Sequence, residues 1–333
     1  MYKQLVEHID KIDGDLSKDQ FTQLVLEVFQ FQRRENKIYS QWVDMINPKD
    51  VSNVDEIPFL PIEAFRSYEV KSGSWIEEQL FRSSGTTSES TSRHYVRSTK
   101  HYLDNCVKGW KEVFVDPKDL CFLALLPSYL EREDSSLIAM VSDFINRSKF
   151  EESGFFLDDH KELYKRLCKC KALNIPTVLF GVSFALTDFA EEFAVDFPEL
   201  IVMETGGMKG RKKEMSRLAL HGMLKSKINV HHVYSEYGMT ELMSQAYTRG
   251  DEWFRASSTM KILARDLNDP LGPCLYDRTG RIDIIDLANL DTCCFIATQD
   301  LGVVRRDGLF KIEGRVDHSA LRGCNLMVSD LGL

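Results

Sequence analysis

At 333 residues, with 43% hydrophobic and 28% charged side chains, the chain can build one large or two modest globular domains. Its formal charge of −9 argues against a dedicated nucleic-acid or anionic-membrane surface. Eight cysteines without framework spacing read as reduced thiols of a cytoplasmic protein, and neither a signal-peptide core nor an apolar run long enough to span a bilayer is found.

Residues 1–80 read as a helical lead-in. Phe21, Leu24, Val25, Val28 and Phe29 recur at helical spacing, and Ser17-Lys18-Asp19-Gln20 reads as a capping box that starts the helix. Pro58 and Pro61 break helix and force an extended connector. It leads into residues 81–93, Phe-Arg-Ser-Ser-Gly-Thr-Thr-Ser-Glu-Ser-Thr-Ser-Arg, where Ser83, Ser84, Thr86, Thr87 and Ser88 surround Gly85. A backbone of this kind can turn its N–H groups towards one point and, with hydroxyl donors, make an anion nest suited to phosphate. The Walker spacing is absent both here and in Gly206-Gly207-Met208-Lys209-Gly210. Taken alone, the hydroxyl cluster is ordinary turn material.

Downstream the pattern alternates. Residues 100–114 are amphipathic, and the continuous apolar run 120–126 is typical of a strand buried on both faces. Residues 135–146 and 161–173 read as helices, 177–181 as a second buried strand, followed by a helix through Phe189 and Phe193. Residues 200–204, a helix over 211–225 and a strand over 230–234 add further steps. Strand–helix alternation predicts an α/β domain with a mainly parallel sheet, whose ligands sit beyond the carboxyl ends of the strands. Thr205-Gly206-Gly207 and Ser235-Glu236-Tyr237-Gly238 fall at those ends. From residue 260 the texture becomes short strands (260–264, 281–286, 295–298, 309–313), which predicts a small antiparallel sheet. Cys168-Lys169-Cys170 and His231-His232 lack the second ligand pair of a zinc site, and His231-His232 sits in an apolar stretch that reads as buried strand.

Four segments then stand in a telling order: the 83–88 loop, Tyr234-Ser235-Glu236-Tyr237-Gly238-Met239-Thr240-Glu241, Thr298-Gln299-Asp300-Leu301-Gly302, and Gly314-Arg315-Val316-Asp317. In this order they resemble the signature segments of the adenylate-forming (acyl-AMP synthetase) superfamily. The resemblance implies that the Ser83, Ser84, Gly85, Thr86, Thr87 and Ser88 loop holds the β- and γ-phosphates of ATP. It implies that Glu241, in the Tyr237-Gly238-x-Thr240-Glu241 segment, holds Mg²⁺. Tyr237 would stack on adenine, Gly206 and Gly207 would let backbone approach the base or the acyl adenylate, Asp300 would accept both ribose hydroxyls, and Arg315 would pair with ribose or phosphate at a hinge. Three further stretches, 127–132, 204–211 and 321–326, make the chain similar to the acyl-protein synthetases of the bacterial bioluminescence fatty acid reductase, the LuxE-type family. That family activates a fatty acid as acyl-AMP and passes it to a cysteine near its own C-terminus, which here is Cys324. The loop departs from the wider superfamily in reading Thr-Thr-Ser rather than Thr-Thr-Gly.

The expected organisation is therefore a helical lead-in (1–80), an α/β adenylate-forming core (81–259), a small β subdomain (260–313), and a hinge and tail (314–333). The usual mobile C-terminal domain is expected to be missing. The expected reaction is ATP- and Mg²⁺-dependent activation of a fatty or related carboxylic acid, with transfer to a protein cysteine and a possible acyl-accepting reductase or carrier protein as partner. Two alternatives stay open: an acyl- or aryl-CoA ligase, and a non-catalytic nucleotide-binding scaffold.

Overall fold

The computed structural model describes residues 1–12, 14, 16–48, 50–83, 91–127, 134–206 and 215–316. The chain divides into two compact units, one formed by Met1–Asn105, Met239–Ser244 and Arg255–Leu333, the other by Cys106–Gly238 and Gln245–Phe254. The α/β class expected from the alternation is the class observed, with a mainly parallel sheet in the second unit and an antiparallel one in the first.

The second unit is the strand–helix repeat. Cys121–Leu125 and Thr177–Val182, buried at every position, pair in parallel. Ile201–Thr205 and then Val233–Tyr237 continue the parallel order, and Ala246–Thr248 adds an antiparallel strand beside Val233–Tyr237. Strands covered on both faces need apolar residues throughout rather than alternately, which is why these runs are uninterrupted. The helices Ser136–Arg147, His160–Ala172, Ser183–Glu192 and Arg217–Ile228 intervene. An aromatic cluster fills the core: the Trp110 ring lies 5.4 Å from Phe122, 5.2 Å from Phe144 and 5.5 Å from Tyr247, in tilted and edge-on contacts that aromatic quadrupoles favour.

In the first unit, Met260–Arg265, Thr279–Asp286, Phe295–Val304 and Phe310–Arg315 form an antiparallel meander. The Pro58–Pro61 connector is not merely a linker, since Leu60–Pro61 pairs in parallel with Phe295–Val304. The helix Lys18–Glu35 starts at the expected capping box: Ser17 Oγ accepts from Gln20 N–H, and Gln20 Oε1 accepts from Ser17 N–H. Its apolar face meets the meander where Phe29, Tyr39 and Phe59 surround the Phe295 ring at 6.2, 5.7 and 5.9 Å.

Three expectations need correction. The strand expected over 230–234 runs over Val233–Tyr237, because His231 and His232 are exposed rather than buried. The strand expected over 295–298 continues to Val304, carrying Asp300 inside the ladder opposite Arg315. The last strand likewise continues through Gly314 to Arg315. Among the described residues, no helix is long and apolar enough to cross a membrane.

Candidate active site

Ser83 stands at the end of a hairpin that the sequence did not announce, Gln79–Arg82 paired antiparallel with Arg93–Val96. Its N–H donates to the Ser92 carbonyl at 3.2 Å, and its Oγ accepts from Ser92 N–H at 2.9 Å. Ser83 thus closes the base from which the hydroxyl-rich segment leaves. Ser84, Gly85, Thr86, Thr87 and Ser88 lie outside the described residues, as do Gly207 and Cys324.

In the same unit the Met239–Ser244 segment is held from both sides. The Thr240 carbonyl accepts from His94 Nδ1 at 2.7 Å, and the Glu241 carbonyl accepts from Asn289 Nδ2 at 2.7 Å. Asp286 accepts from the N–H groups of Met243 and Ser244 at 2.8 and 3.0 Å and from the Ser244 hydroxyl at 2.6 Å. Burial pushes the His94 imidazole down to about 4, so the ring is neutral and Nδ1 carries the proton it gives to Thr240. These bonds fix the backbone on which Glu241 stands. Burial raises the Glu241 carboxyl above its ordinary range, while a hydrogen bond from Ser92 and the charges of Arg66 and Arg315 work against that rise.

Asp300 is buried and accepts from Arg315 Nε at 2.9 Å, across a ladder in which the two residues are direct partners. Arg315 itself is largely exposed. Glu241, Ser92, Asp300 and Arg315 therefore belong to one electrostatic neighbourhood, linked by the influence of Arg315 on both acids.

The second unit carries Gly206, Tyr237 and Gly238. Gly206 follows its strand with φ +69°, a left-handed conformation that glycine adopts without Cβ strain, and its carbonyl accepts from Ser183 Oγ at 2.7 Å. Tyr237 is buried and its ring lies 5.8 Å from Phe254. At Gly238 a Cβ atom would fall 2.4 Å from Glu236 Oε1, so any larger residue requires the Glu236 carboxylate to move.

Two acidic side chains here were quoted in the sequence but given no role. Glu204 is buried and accepts from Ser235 Oγ at 2.5 Å and Ser183 Oγ at 3.0 Å, with His221 Nε2 at 3.5 Å and Arg217 Nε at 3.4 Å. Burial opposes its charge, but the His221 hydrogen bond, the Arg217 guanidinium and Ser235 prevail and hold the carboxyl below its ordinary range. Glu236, one strand over, is pushed up to about 7 by burial; the Thr205 hydroxyl it accepts from moderates this and the nearby Glu204 charge adds to it. Polarity next to a glycine looks like a turn, so nothing local distinguishes a buried Glu236 from a solvated one. His94, Asn289 and Asp286 had no sequence signal at all.

A family profile described as acyl-protein synthetase, LuxE, matches residues 13–331. The chain belongs to that family. It is accordingly an enzyme of the acyl-adenylate-forming ligase class, and the resemblance read from its motifs holds over nearly its whole length. No curated protein sequence matches it. Among solved structures, this family member is similar to 2-hydroxyisobutyryl-CoA ligase in the postadenylation state with 2-HIB-AMP, at 12% identity and a TM-score of 0.68, over 91% of this chain and 69% of the ligase. The open conformation of that ligase with 2-HIB-AMP and CoA gives 12% identity and 0.67, over 91% and 77% of the two chains. ATP-bound MatB from Rhodopseudomonas palustris gives 17% identity and 0.51, over 71% and 47%. At such identities the likeness is one of fold.

Proposed function

We propose that this protein activates a carboxylic acid of the fatty-acyl kind with ATP and transfers the acyl group to its own Cys324. The observation that carries the reading is the clamp on Met239–Ser244, which fixes one buried carboxylate, Glu241, on a backbone held by His94, Asn289 and Asp286. A carboxylate so immobilised is preorganised, and fixed charges and dipoles are what stabilise a phosphoryl-type transition state.

In the first step a carboxylate oxygen of the acid attacks the α-phosphorus of ATP, the bond from that phosphorus to the β-bridging oxygen breaks, and pyrophosphate leaves. In the second, the Cys324 thiolate attacks the acyl carbonyl carbon and AMP departs with the electron pair of the former anhydride bond, leaving a thioester. Tyr237 stacks on adenine, with Gly206 and Gly207 admitting the backbone close to it, while Gly238 and Thr240 shape the segment between Tyr237 and Glu241. Asp300 accepts from the ribose diol, Arg315 pairs with ribose or phosphate, and the Ser83–Ser88 loop takes the β- and γ-phosphates. Among the described residues no group of three or more His, Cys, Asp or Glu is arranged to hold a metal ion. One carboxylate nonetheless suits Mg²⁺, which commonly takes one or two protein carboxylates plus phosphate oxygens and water. Glu241 would hold it, and the ion supplies charge neutralisation at the phosphates.

The test is ATP–pyrophosphate exchange. The parent exchanges in the presence of acid, and Glu241→Gln lowers the rate by about 100-fold while acid affinity changes less than about threefold. Exchange at the parental rate in Glu241→Gln across a Mg²⁺ titration contradicts the role. Efficient turnover with CoA as the only acceptor assigns the second step to a CoA ligase instead.

A further inference from the structure

Glu241 stands on a backbone whose carbonyl is held by Asn289, and Asn289 is in turn held from the N-terminal helices. The turn over residues 289–292 is closed by the Thr292 N–H, which donates to the Asn289 carbonyl at 3.1 Å. Gln32, in the Lys18–Glu35 helix, brings Nε2 to 3.3 Å from the Asn289 carbonyl, 3.0 Å from that of Leu290 and 3.2 Å from that of Thr292. Its Oε1 accepts from the Cys294 N–H at 2.9 Å. Asn36 Nδ2 and Ser72 Oγ donate to the same Thr292 carbonyl at 2.7 and 2.6 Å. The Ser72 N–H donates to the Asp291 carbonyl at 2.8 Å.

All three side chains are buried, Gln32 and Asn36 at 0% exposure and Ser72 at 3%. Burying amides and a hydroxyl is costly unless each finds a partner, and apolar side chains would fill the same space at lower cost. Here the partners are backbone groups of one turn, so what the polar side chains fix is the position of that turn. A fully bonded buried network rigidifies its members in a single arrangement. On the far side of the turn, Asn289 Nδ2 donates to the Glu241 carbonyl at 2.7 Å. Thr292 Oγ1 lies 3.2 Å from His94 Nε2, and the other ring nitrogen of His94 donates to the Thr240 carbonyl. The contacts run unbroken from the helices through the turn to the Thr240–Glu241 backbone, all within the first unit.

We propose that Gln32, Asn36 and Ser72 are positioning residues for Glu241, acting through the 289–292 turn, so that the N-terminal helices take part in adenylation rather than only packing against the sheet. This rests on the role given to Glu241 above and extends it to side chains that touch neither ATP nor the acid.

The variants keep local structure and remove the grip on the turn. Gln32→Glu retains an acceptor for the Cys294 N–H, and Asn36→Asp retains the oxygen that caps the Lys37–Ile46 helix through the Tyr39 N–H. Both lose the amide donors to the turn. Ser72→Ala removes one hydroxyl donor and is the mildest change. Trp42→Phe is the control: it removes the bond from Trp42 Nε1 to the Phe59 carbonyl, from the same helices, without touching the turn.

Two readouts are taken on the full chain. In protein free of ATP and metal, amide hydrogen exchange over residues 239–244 should be faster by about 10-fold in Gln32→Glu and Asn36→Asp and about threefold in Ser72→Ala, with Trp42→Phe unchanged. In pyrophosphate exchange, the half-saturating Mg²⁺ concentration should rise by about the same factors, as for lost outer partners of a metal ligand, with the KM for acid within about twofold. A purely structural role would scale the rate with the folded fraction and leave half-saturation by Mg²⁺ where it was. Hydrogen exchange over 239–244 that matches the parent therefore overturns the inference, and so does faster exchange with half-saturating Mg²⁺ unmoved. Should Gln32→Glu and Asn36→Asp fail to fold, Ser72→Ala decides by the same criteria. No pyrophosphate exchange by the parent with any acid overturns the adenylation reading and this inference with it, whereas an active parent matched by its variants overturns only this one.

Discussion

Glu204 and Glu236 end neighbouring parallel strands, both are buried, and they settle in opposite states. Glu204 is surrounded by Ser183, Ser235, His221 and Arg217, and its carboxyl is held below the ordinary range in spite of burial. Glu236 has the Thr205 hydroxyl and the adverse charge of Glu204, and burial lifts it to about 7. Burial alone therefore does not decide ionisation; the number and sign of the partners does. The better-satisfied acid is a structural anchor, since the single Ser183 hydroxyl proton is shared between it and the Gly206 carbonyl. The other accepts from the Thr205 hydroxyl, and its Oε1 occupies the position that a Cβ on Gly238 would need.

The largest effect should come from stripping Glu204 of its partners. Arg217→Ala combined with His221→Leu leaves a buried carboxylate with hydroxyl donors alone and should destabilise the fold by about 3 kcal/mol at pH 7, read by urea unfolding. A loss under about 1 kcal/mol would mean that solvent screens the cluster and that the contrast with Glu236 is smaller than drawn.

A smaller effect, of opposite sign in pH, should follow Glu236. Its folded-state carboxyl titrates at about 7 against an ordinary 4.5, so the folded state prefers the protonated form. Stability from this group is full below the unfolded-state value and is lost as pH rises towards 7; Glu204, with its depressed carboxyl, instead loses stability as pH falls through its folded-state value. Between pH 5 and 8 the parent should lose about 2 kcal/mol relative to Glu236→Gln, which cannot titrate. Parallel stability curves for the two proteins over that range would place Glu236 ionised from the outset.

What was legible in the sequence was local and periodic. The capping box at Ser17–Gln20 and the apolar runs of Cys121–Leu125 and Thr177–Val182 carry their own instructions, because cap geometry and two-sided burial constrain each position. The Gln79–Arg82 hairpin partner lies beyond the hydroxyl-rich segment, so its pairing is set by closure rather than by pattern. The strand expected over 295–298 stops short of the polar Gln299 and Asp300, yet Asp300 faces Arg315 inside a ladder. Glu241 was visible through its motif. The groups that hold it were not: His94, Asn289 and Asp286 come from strands and turns up to 146 positions away, joined to the segment only by folding.

The central claim is an acyl-AMP passed to one thiol, and it is tested by following the acyl group itself. The radiolabelled acid that supports the fastest exchange is incubated with ATP, Mg²⁺ and the full chain, and the protein is run on a denaturing gel before and after neutral hydroxylamine, which cleaves thioesters. The parent should carry label that hydroxylamine releases, and Cys324→Ser should still exchange pyrophosphate while retaining none, because a thiolate is the side chain that both attacks at neutral pH and holds a transferable acyl group. Full hydroxylamine-labile label on Cys324→Ser would contradict the account and assign the acyl group to another of the eight cysteines.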